Sequence, residues 1–289
     1  MQGLKSAKIV GCGLIGTSIA LRLKHLGVEI SVSDSNEKNL RLAQDLIGSQ
    51  VTDAPELVIV ATPPESILQT LKDEFEQNPE AILIEVSGVK SNLLLEVEEF
   101  PALSKNFCAV HPMAGREVTG PQSARADLFE GRAWVISKTQ RSSQKSIELA
   151  KKVGELLGST TYSISPAQHD SAIAAVSHLP QILSSLLAGS LTKEPIGALD
   201  LAGQGLRDVT RLADSDASLW ASLLIANAAE LEPRINSLIQ GLQNLNANLQ
   251  QKSISAVKNF INQGNNGREL IPGKHGAKKR DYTFFAYCY

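Results

Sequence analysis

A glycine-rich turn lies between the first apolar run of the chain and a helical pattern. Residues 8–10 are followed by Gly11-Cys12-Gly13-Leu14-Ile15-Gly16. In this spacing the first glycine permits a tight turn, the second lets the backbone approach a pyrophosphate, and the third lets helix and strand pack closely. A helix that begins here offers unpaired N–H groups and a partial positive charge to phosphates. We therefore predict a dinucleotide site whose contacts are Gly11, Gly13, Leu14, Ile15 and Gly16.

Asp34 closes the second strand-like run, residues 28–33. A carboxylate at this place accepts hydrogen bonds from the adenosine ribose hydroxyls and repels a 2′-phosphate. No arginine follows it immediately, so the sequence favours NAD over NADP as the cofactor. A glycine-rich turn that binds no cofactor is the alternative.

Polar side chains follow three further apolar runs, and ligands of such folds bind at the carboxyl ends of strands. Ala61 ends the third run, and Ala61-Thr62-Pro63 is expected to contact the cofactor. Ser87 follows the fourth run and is predicted to line the cleft as a catalytic residue. His111 directly follows the fifth run. A histidine there can take a proton from a hydroxyl while hydride leaves the same carbon. Its alternative role is to bind backbone groups of its own loop.

The order of the predicted elements indicates an α/β fold. Buried runs at residues 8–10, 28–33, 57–61 and 81–84 alternate with helical stretches, which is typical of a parallel sheet covered by helices on both faces. Further strands are expected at 107–110 and 133–136. From Ser165 onward the pattern is helical, beginning with a capping box and carrying a kink at Pro180. We predict a Rossmann-type dinucleotide-binding domain over 1–164, an all-helical substrate and dimerisation domain over 165–262, and a linker with a truncated tail over 263–289.

A heptad-like apolar seam lies near the end of the helical part. Its members alternate at spacings of three and four: Ile235, Leu238, Leu242, Leu245 and Leu249. Such a seam predicts a homodimer contact, and an ordinary core-facing helix is the alternative.

Composition excludes several classes of protein. The chain has 289 residues and a net charge of −2, which provides no basic footprint for nucleic acid. No run is expected to reach the roughly 18 apolar residues of a membrane span. Three cysteines at no metal-ligand spacing are typical of reduced thiols, and no metal site is predicted. We expect a soluble cytoplasmic protein that binds a small-molecule substrate.

Three motifs together resemble the prephenate and arogenate dehydrogenases of tyrosine biosynthesis. They are His111-Pro112-Met113-Ala114-Gly115 with Glu117, PAQHDSAIAAVSHLP at residues 166–180, and GQGLRDVTRLAD at residues 203–214. The resemblance covers about residues 7–260. It implies NAD(P)-dependent hydride loss from a cyclohexadienol that is accompanied by decarboxylation.

The resemblance also implies roles for single residues. His111 would hydrogen-bond and deprotonate the ring hydroxyl, for which it must be neutral. Arg211 would bind the substrate carboxylate; its alternative is an ion pair with Asp208 on an exposed helix. His178 would lie near the substrate, or else be a satisfied core histidine. Glu117 resembles an acidic residue near the site entrance, and Arg207 is expected to be structural.

Two positions depart from the family pattern. The family commonly reads Gly-Ser-Val-Lys where this chain has Ser87-Gly88-Val89-Lys90, which displaces the hydroxyl by one residue. Gln181 stands where prephenate-using members often carry a second histidine. A neutral amide there could change recognition of the side chain that separates prephenate from arogenate. We expect prephenate, and arogenate stays open.

Two other functions are alternatives to this enzyme. Another two-domain dehydrogenase of the β-hydroxyacid type would place a lysine on the interdomain helix, but no lysine lies between Tyr162 and Ala188. A non-catalytic NAD-binding protein would use the seam as its functional surface.

Residues 271–276 resemble the linker before an ACT-type regulatory domain, and about a dozen residues follow, so we expect that domain to be truncated.

Overall fold

Seven strands form one sheet within the described residues, which are 3–48, 54–114 and 120–271 of a computed structural model. The strand order is β2-β1-β3-β4-β5-β6-β7. The strands are β1 (Ser6–Val10), β2 (Glu29–Ser33), β3 (Leu57–Val60), β4 (Ile82–Glu85), β5 (Phe107–Pro112), β6 (Ala133–Ser137) and β7 (Thr160–Ser163). The prediction of an α/β fold is confirmed.

The sheet is parallel from β2 through β5, as predicted, but β6 runs antiparallel to β5, and β7 is parallel to β6. The strands expected at 107–110 and 133–136 are present, but their direction was not predicted from the sequence. A parallel neighbour needs a long crossover, usually a helix. The described part of the β5–β6 connection holds only the 3₁₀ turn Pro121–Ser123, which suits an antiparallel neighbour.

Alternate residues of the central strands pack on opposite faces of the sheet. Leu57 and Ile59 belong to one buried apolar cluster, whereas Val58 and Val60 belong to another. Because both faces are covered, all four residues of β3 are buried. This explains why the sequence shows continuous apolar runs instead of an alternating pattern.

Thirteen helices cover the sheet and extend beyond it within the described residues. They are α1 (Leu14–His25), α2 (Glu37–Ile47), α3 (Ile67–Gln77), α4 (Ser91–Glu98), α5 (Pro101–Lys105), α6 (Gln144–Leu156), α7 (Pro166–Ile173), α8 (Leu179–Ser190), α9 (Ile196–Leu199), α10 (Gln204–Thr210), α11 (Ala217–Ala226), α12 (Ala228–Gln250) and α13 (Ile254–Glu269).

The start of the helical part has the geometry that its sequence predicts. The Ser165 hydroxyl accepts a hydrogen bond from the Gln168 N–H, and the Gln168 side chain accepts one from the Ser165 N–H, which completes a capping box. At the expected kink, one π-helical turn (Ala174–His178) separates α7 from α8. Pro180 has no N–H and its ring crowds the preceding turn, and a π turn accommodates both effects.

The helical stretch from Pro166 to Lys193 is long and apolar enough to cross a membrane, by length and composition alone. The expectation that no run reaches this length is therefore wrong. The stretch nevertheless carries His169, Asp170 and His178, whose side chains are buried and hydrogen-bonded to neighbouring elements. These polar contacts tie the stretch to other elements of the described chain, although only 28% of its most apolar window is buried.

The chain divides into two compact units, Met1–Glu232 and Pro233–Tyr289. The predicted boundary at 164/165 falls inside the first unit, because the Asp170 carboxylate on α7 binds the start of α4. The predicted division into domains stays a prediction.

In the second unit, the linker expected from residue 263 is helical as far as Glu269. Once a helix has begun, adding residues is far less costly than nucleating it, so α13 continues through the Asn and Gly residues. The rest of the predicted tail, residues 272–289, lies outside the described residues.

Candidate active site

The glycine turn after β1 has the shape that the sequence predicts for it. Gly11 has a φ of +102°, and a Cβ there would collide with the Ala61 carbonyl. A Cβ on Gly16 would collide with the Gly11 carbonyl, whereas a Cβ on Gly13 would meet nothing within 4 Å. The first and third glycines thus allow close backbone packing, and the second leaves open space where a phosphate group would approach.

The groups around this turn fit a dinucleotide. No side chain caps α1 at Gly13, so the first-turn N–H groups at Leu14 and Ile15 are not covered by a cap. The Asp34 carboxylate accepts hydrogen bonds from the Cys12 N–H at 2.6 Å and from the Asn36 N–H at 2.7 Å. It therefore joins the glycine turn to the end of β2, where a ribose would lie.

The end of β3 lies beside the same turn. The Ala61 N–H donates to the Val10 carbonyl at 2.7 Å, which fixes residues 61–63 next to the end of β1. The Thr62 hydroxyl oxygen is buried and has no hydrogen-bond partner among the described residues. Its unused hydrogen-bonding capacity, with Pro63 next to it, is compatible with the predicted cofactor contact.

The Ser87 hydroxyl is used inside its own turn. It donates to the Val89 carbonyl at 2.9 Å and lies 3.3 Å from the Lys90 ammonium. A Cβ built on Gly88 would instead lie 3.0 Å from Leu223 Cδ2 and 3.9 Å from His111 Cε1. Position 88, where the family commonly has its serine, faces His111, and the geometry gives no support to the predicted catalytic role of Ser87.

His111 lies within β5, one residue before its end, and is half-buried. Its Nδ1 is 2.8 Å from His169 Nε2, and His169 Nδ1 is 2.7 Å from Asp170 Oδ1. Burial lowers the pKa of His111 well below its usual range, and the positive charges that His169, Lys90 and His178 can carry lower it further. His111 is therefore neutral at neutral pH, as a base must be.

The hydrogen-bonded series from His111 through His169 ends at the Asp170 carboxylate, which backbone N–H groups hold in place. Asp170 accepts from the backbone N–H of Lys90 at 2.9 Å and of Ser91 at 2.7 Å. Burial raises the pKa of Asp170, but its hydrogen bonds with His169, Ser91 and Lys90 outweigh burial and lower that pKa below its ordinary value. Asp170 is thus ionised.

A fully buried ion pair supports the same turn. Lys90 Nζ lies 2.5 Å from Glu85 Oε1 and also donates to the Ser87 carbonyl at 2.8 Å. The other Glu85 oxygen accepts from the Ser87 N–H at 2.7 Å. The pair therefore ties the end of β4 to the start of α4.

His178 is buried at the end of the π turn. The Asn227 amide group lies 3.1 Å from His178 Nδ1 and donates to the Asp170 carbonyl at 2.9 Å. The His178 ring packs edge-on against Trp220 at 5.9 Å between centroids. Burial lowers the pKa of His178 to about 4, so its imidazole is neutral.

Arg211 begins the 3₁₀ turn Arg211–Ala213 and is exposed. Buried Gln181 donates from its amide to the Leu212 carbonyl at 2.8 Å and to the Ser185 hydroxyl at 3.2 Å. Gln181 thus anchors the turn that carries Arg211. Arg207, expected to be structural, donates to the Ala202 carbonyl at 3.2 Å.

Four residues of this region were not found from the sequence: His169, Asp170, Lys90 and Asn227. His169 and Asp170 stand in the quoted motif of residues 166–180, where adjacent His and Asp on the first turns of a helix were the available signal. The buried Lys90–Glu85 pair and the Asn227 amide depend on contacts between distant segments, which no local pattern shows. Glu117 lies outside the described residues.

The fold and the site together define a nucleotide-binding dehydrogenase of two parts. A family model described as "Prephenate dehydrogenase, nucleotide-binding domain" matches residues 17–163, and one described as "Prephenate dehydrogenase, dimerization domain" matches residues 165–263. The chain belongs to the prephenate dehydrogenase family, which confirms the resemblance seen in the sequence.

Similar proteins carry both substrate names. The probable prephenate dehydrogenase NovF of Streptomyces niveus is 29% identical over 94% of this chain and 79% of its own length. The structure of prephenate dehydrogenase from A. aeolicus, in complex with hydroxyphenyl propionate and NAD+, has a TM-score of 0.83 at 25% identity, covering 92% of this chain and 98% of that chain. Synechocystis arogenate dehydrogenase has a TM-score of 0.73 at 26% identity, covering 91% and 99%.

Proposed function

We propose that the chain catalyses the NAD-dependent oxidative decarboxylation of prephenate to 4-hydroxyphenylpyruvate, with arogenate as the alternative substrate. The observation that carries the proposal is the neutral His111 near the carboxyl end of β5. The glycine turn follows the carboxyl end of β1, and the strands from β1 to β5 are parallel, so both lie at the same edge of the sheet. A neutral imidazole can accept the proton of a ring hydroxyl. Relatives named as prephenate, cyclohexadienyl and arogenate dehydrogenases support this class of substrate.

His111 acts twice in the proposed reaction. It takes the proton of the ring hydroxyl while hydride leaves the carbon that carries this hydroxyl. Loss of the ring carboxylate as CO₂ leaves an electron pair that makes the ring aromatic and places negative charge on the oxygen. His111 then returns its proton to that oxygen, so the enzyme ends in the state in which it began.

NAD as the cofactor follows from the residues around the glycine turn. When bound, its nicotinamide would accept the hydride. Gly11, Gly13, Leu14, Ile15 and Gly16 would hold the pyrophosphate, with residues 61–63 beside them. The Asp34 carboxylate would bind the ribose and repel a 2′-phosphate. The NAD+ complex of the A. aeolicus enzyme supports this assignment.

His178 favours prephenate over arogenate. Because the Asn227 amide donates toward His178 Nδ1, the neutral His178 ring carries its proton on Nε2. The family resemblance puts His178 near the substrate, and we place the substrate side chain there. An N–H donor at that point matches the keto oxygen of prephenate, whereas the ammonium group of arogenate would need an acceptor.

The chain is further proposed to form a cytoplasmic homodimer. The second matched model is described as a dimerization domain. In the single chain, Leu242 and Leu249 of the predicted seam on α12 are 55% and 56% exposed. Large exposed apolar side chains along one helix are typical of an interface.

Parallel assays with prephenate and arogenate, each with NAD and with NADP, test this function. We expect NADH absorbance to rise with prephenate and NAD, with one CO₂ released for each NADH formed. The rate with NADP should be lower because of Asp34. The matched control is the His111→Asn variant, which reveals any contaminating dehydrogenase. Binding of NAD without NADH formation from either substrate would instead indicate a non-catalytic protein.

Replacing Arg211 with Ala is expected to raise KM for the substrate by roughly 10-fold to 100-fold, the equivalent of a lost charge-assisted hydrogen bond, with a smaller change in kcat. Gln181→Leu should raise KM in the same direction but less, because it only releases the turn that carries Arg211. Arg207→Ala is the control on the neighbouring helix and should leave KM within about twofold. An unchanged KM in Arg211→Ala would assign that residue a structural role.

A further inference from the structure

A series of hydrogen bonds runs from His111 through His169 to the Asp170 carboxylate. Its donors and acceptors are consistent in one direction. We propose that His169 and Asp170 are positioning residues that hold the proton of His111 on Nδ1 and leave His111 Nε2 as the basic nitrogen. This inference rests on the proposed role of His111 as the base. It assigns functions to two residues that do not touch the reacting hydroxyl.

Asp170 sets the direction of the chain. An ionised carboxylate can only accept hydrogen bonds, and Oδ1 lies 2.7 Å from His169 Nδ1. His169 Nδ1 must therefore carry a proton. The N–H groups of Lys90 and Ser91, which are obligate donors, hold both Asp170 oxygens and prevent the carboxylate from rotating away.

His169 passes this constraint to His111. Its side chain is fully buried, and burial lowers the pKa of His169 despite the opposing effect of Asp170, so the ring is neutral. With its single proton on Nδ1, His169 can only accept at Nε2. The contact of 2.8 Å then requires His111 to donate from Nδ1, and the neutral His111 ring has its lone pair on Nε2.

The same chain stabilises His111 after it has taken up a proton. Among the described residues, the charged or titratable groups that face the two rings are Lys90, Glu85, Asp170 and His178. The Lys90 charge is balanced by Glu85 in their buried pair. Asp170 is therefore the anion left to stabilise a His111 imidazolium, acting through the His169 ring. A carboxylate behind a histidine has this double effect on tautomer and charge in hydrolytic triads.

The direct test is ¹⁵N NMR of the histidine rings in the full-length protein, with His111 assigned by the loss of its signals in His111→Asn. We expect His111 to be protonated on Nδ1 and His169 also on Nδ1. A His111 proton on Nε2 would overturn the proposal. This readout needs no turnover, so it decides the inference even if neither prephenate nor arogenate is a substrate.

Kinetics of three variants supply the second test. His169→Leu should lower kcat at least about 10-fold with KM within about twofold, because His111 loses its acceptor. His169→Gln should recover most of that loss, since its amide oxygen can accept from His111 and its amide N–H can donate to Asp170. The control His25→Gln, on the exposed end of α1, should leave kcat unchanged. Equal losses in His169→Leu and His169→Gln would assign His169 a packing role and contradict the proposal.

The pH profile separates positioning from packing. In Asp170→Asn the carboxylate charge is lost, so a protonated His111 is less stabilised and its pKa falls. The acid limb of kcat should therefore move to lower pH by roughly half a unit. A lower kcat with an unmoved acid limb would contradict the role of Asp170. If Asp170→Asn is unstable because the start of α4 loses its acceptor, the NMR result on the unsubstituted protein still decides.

Discussion

Replacing His111 with Asn is expected to lower kcat by roughly 10²-fold or more while NAD binds as before. Asparagine can still donate a hydrogen bond toward His169, so the buried chain keeps a partner. Its amide nitrogen has no lone pair that could accept the hydroxyl proton. Because the glycine turn and Asp34 lie on other strands, the dinucleotide contacts should not change. NADH absorbance for turnover and calorimetric titration for NAD affinity measure the two effects.

The matched control for this prediction is His25→Asn, a histidine replaced on the exposed end of α1. It should leave both kcat and NAD affinity unchanged. Turnover of His111→Asn close to that of the unsubstituted enzyme would remove His111 from the role of base. A loss of NAD affinity equal to the loss of kcat would assign His111 to cofactor binding instead.

The pH dependence of kcat in the unsubstituted enzyme follows from the same environment. A base acts in its unprotonated form, and burial lowers the pKa of His111. Activity should therefore persist below pH 6.5, where an exposed histidine would already be half protonated. A base stabilised as a cation would shift in the opposite direction, with activity already falling as the pH drops below neutral.

Local patterns were sufficient to predict the parts of the site that one segment builds alone. The glycine turn depends on adjacent residues: the positive φ of Gly11 and the collision of a Gly16 Cβ with the Gly11 carbonyl both arise within it. The capping box at Ser165 is likewise contained in four residues. The parallel part of the sheet was predicted from continuous apolar runs, because burial on both faces removes the alternating pattern.

The parts that sequence reasoning missed require segments that are distant in the chain. Asp170 binds Lys90 across 80 residues, and Asn227 joins Asp170 and His178 across about 50. No periodicity reports such contacts. Ser87 was chosen because its hydroxyl follows a strand. That hydroxyl, however, donates to the Val89 carbonyl within its own turn, and the next position, Gly88, is the one near His111. The antiparallel β6 was missed because a strand's own residues do not encode the direction of its neighbour.

The buried Lys90–Glu85 pair gives the largest expected effect on stability. Both side chains are fully buried, and Lys90→Met would leave the Glu85 carboxylate without its cation. Removing one partner of a buried pair costs about 3–5 kcal/mol of the free energy of unfolding. The hydrogen bond from the Lys90 backbone N–H to Asp170 is kept. The substitution should therefore lower the free energy of unfolding more than it disturbs the hydrogen bonds between His111, His169 and Asp170. Urea unfolding at fixed protein concentration measures it.

A second variant distinguishes an unpaired charge from lost packing. In Glu85→Gln with Lys90→Met no charge is buried, while the Gln carbonyl can still accept from the Ser87 N–H and its amide can donate to the Ser87 carbonyl that Lys90 leaves. This double variant should regain most of the stability lost in Lys90→Met. Arg41→Met breaks an ion pair with Glu37 whose side chains are 76% and 81% exposed, and it should cost at most about 1 kcal/mol. If the double variant is as unstable as Lys90→Met, the methylene stem of Lys90, and not its charge, is what the fold requires at the end of β4.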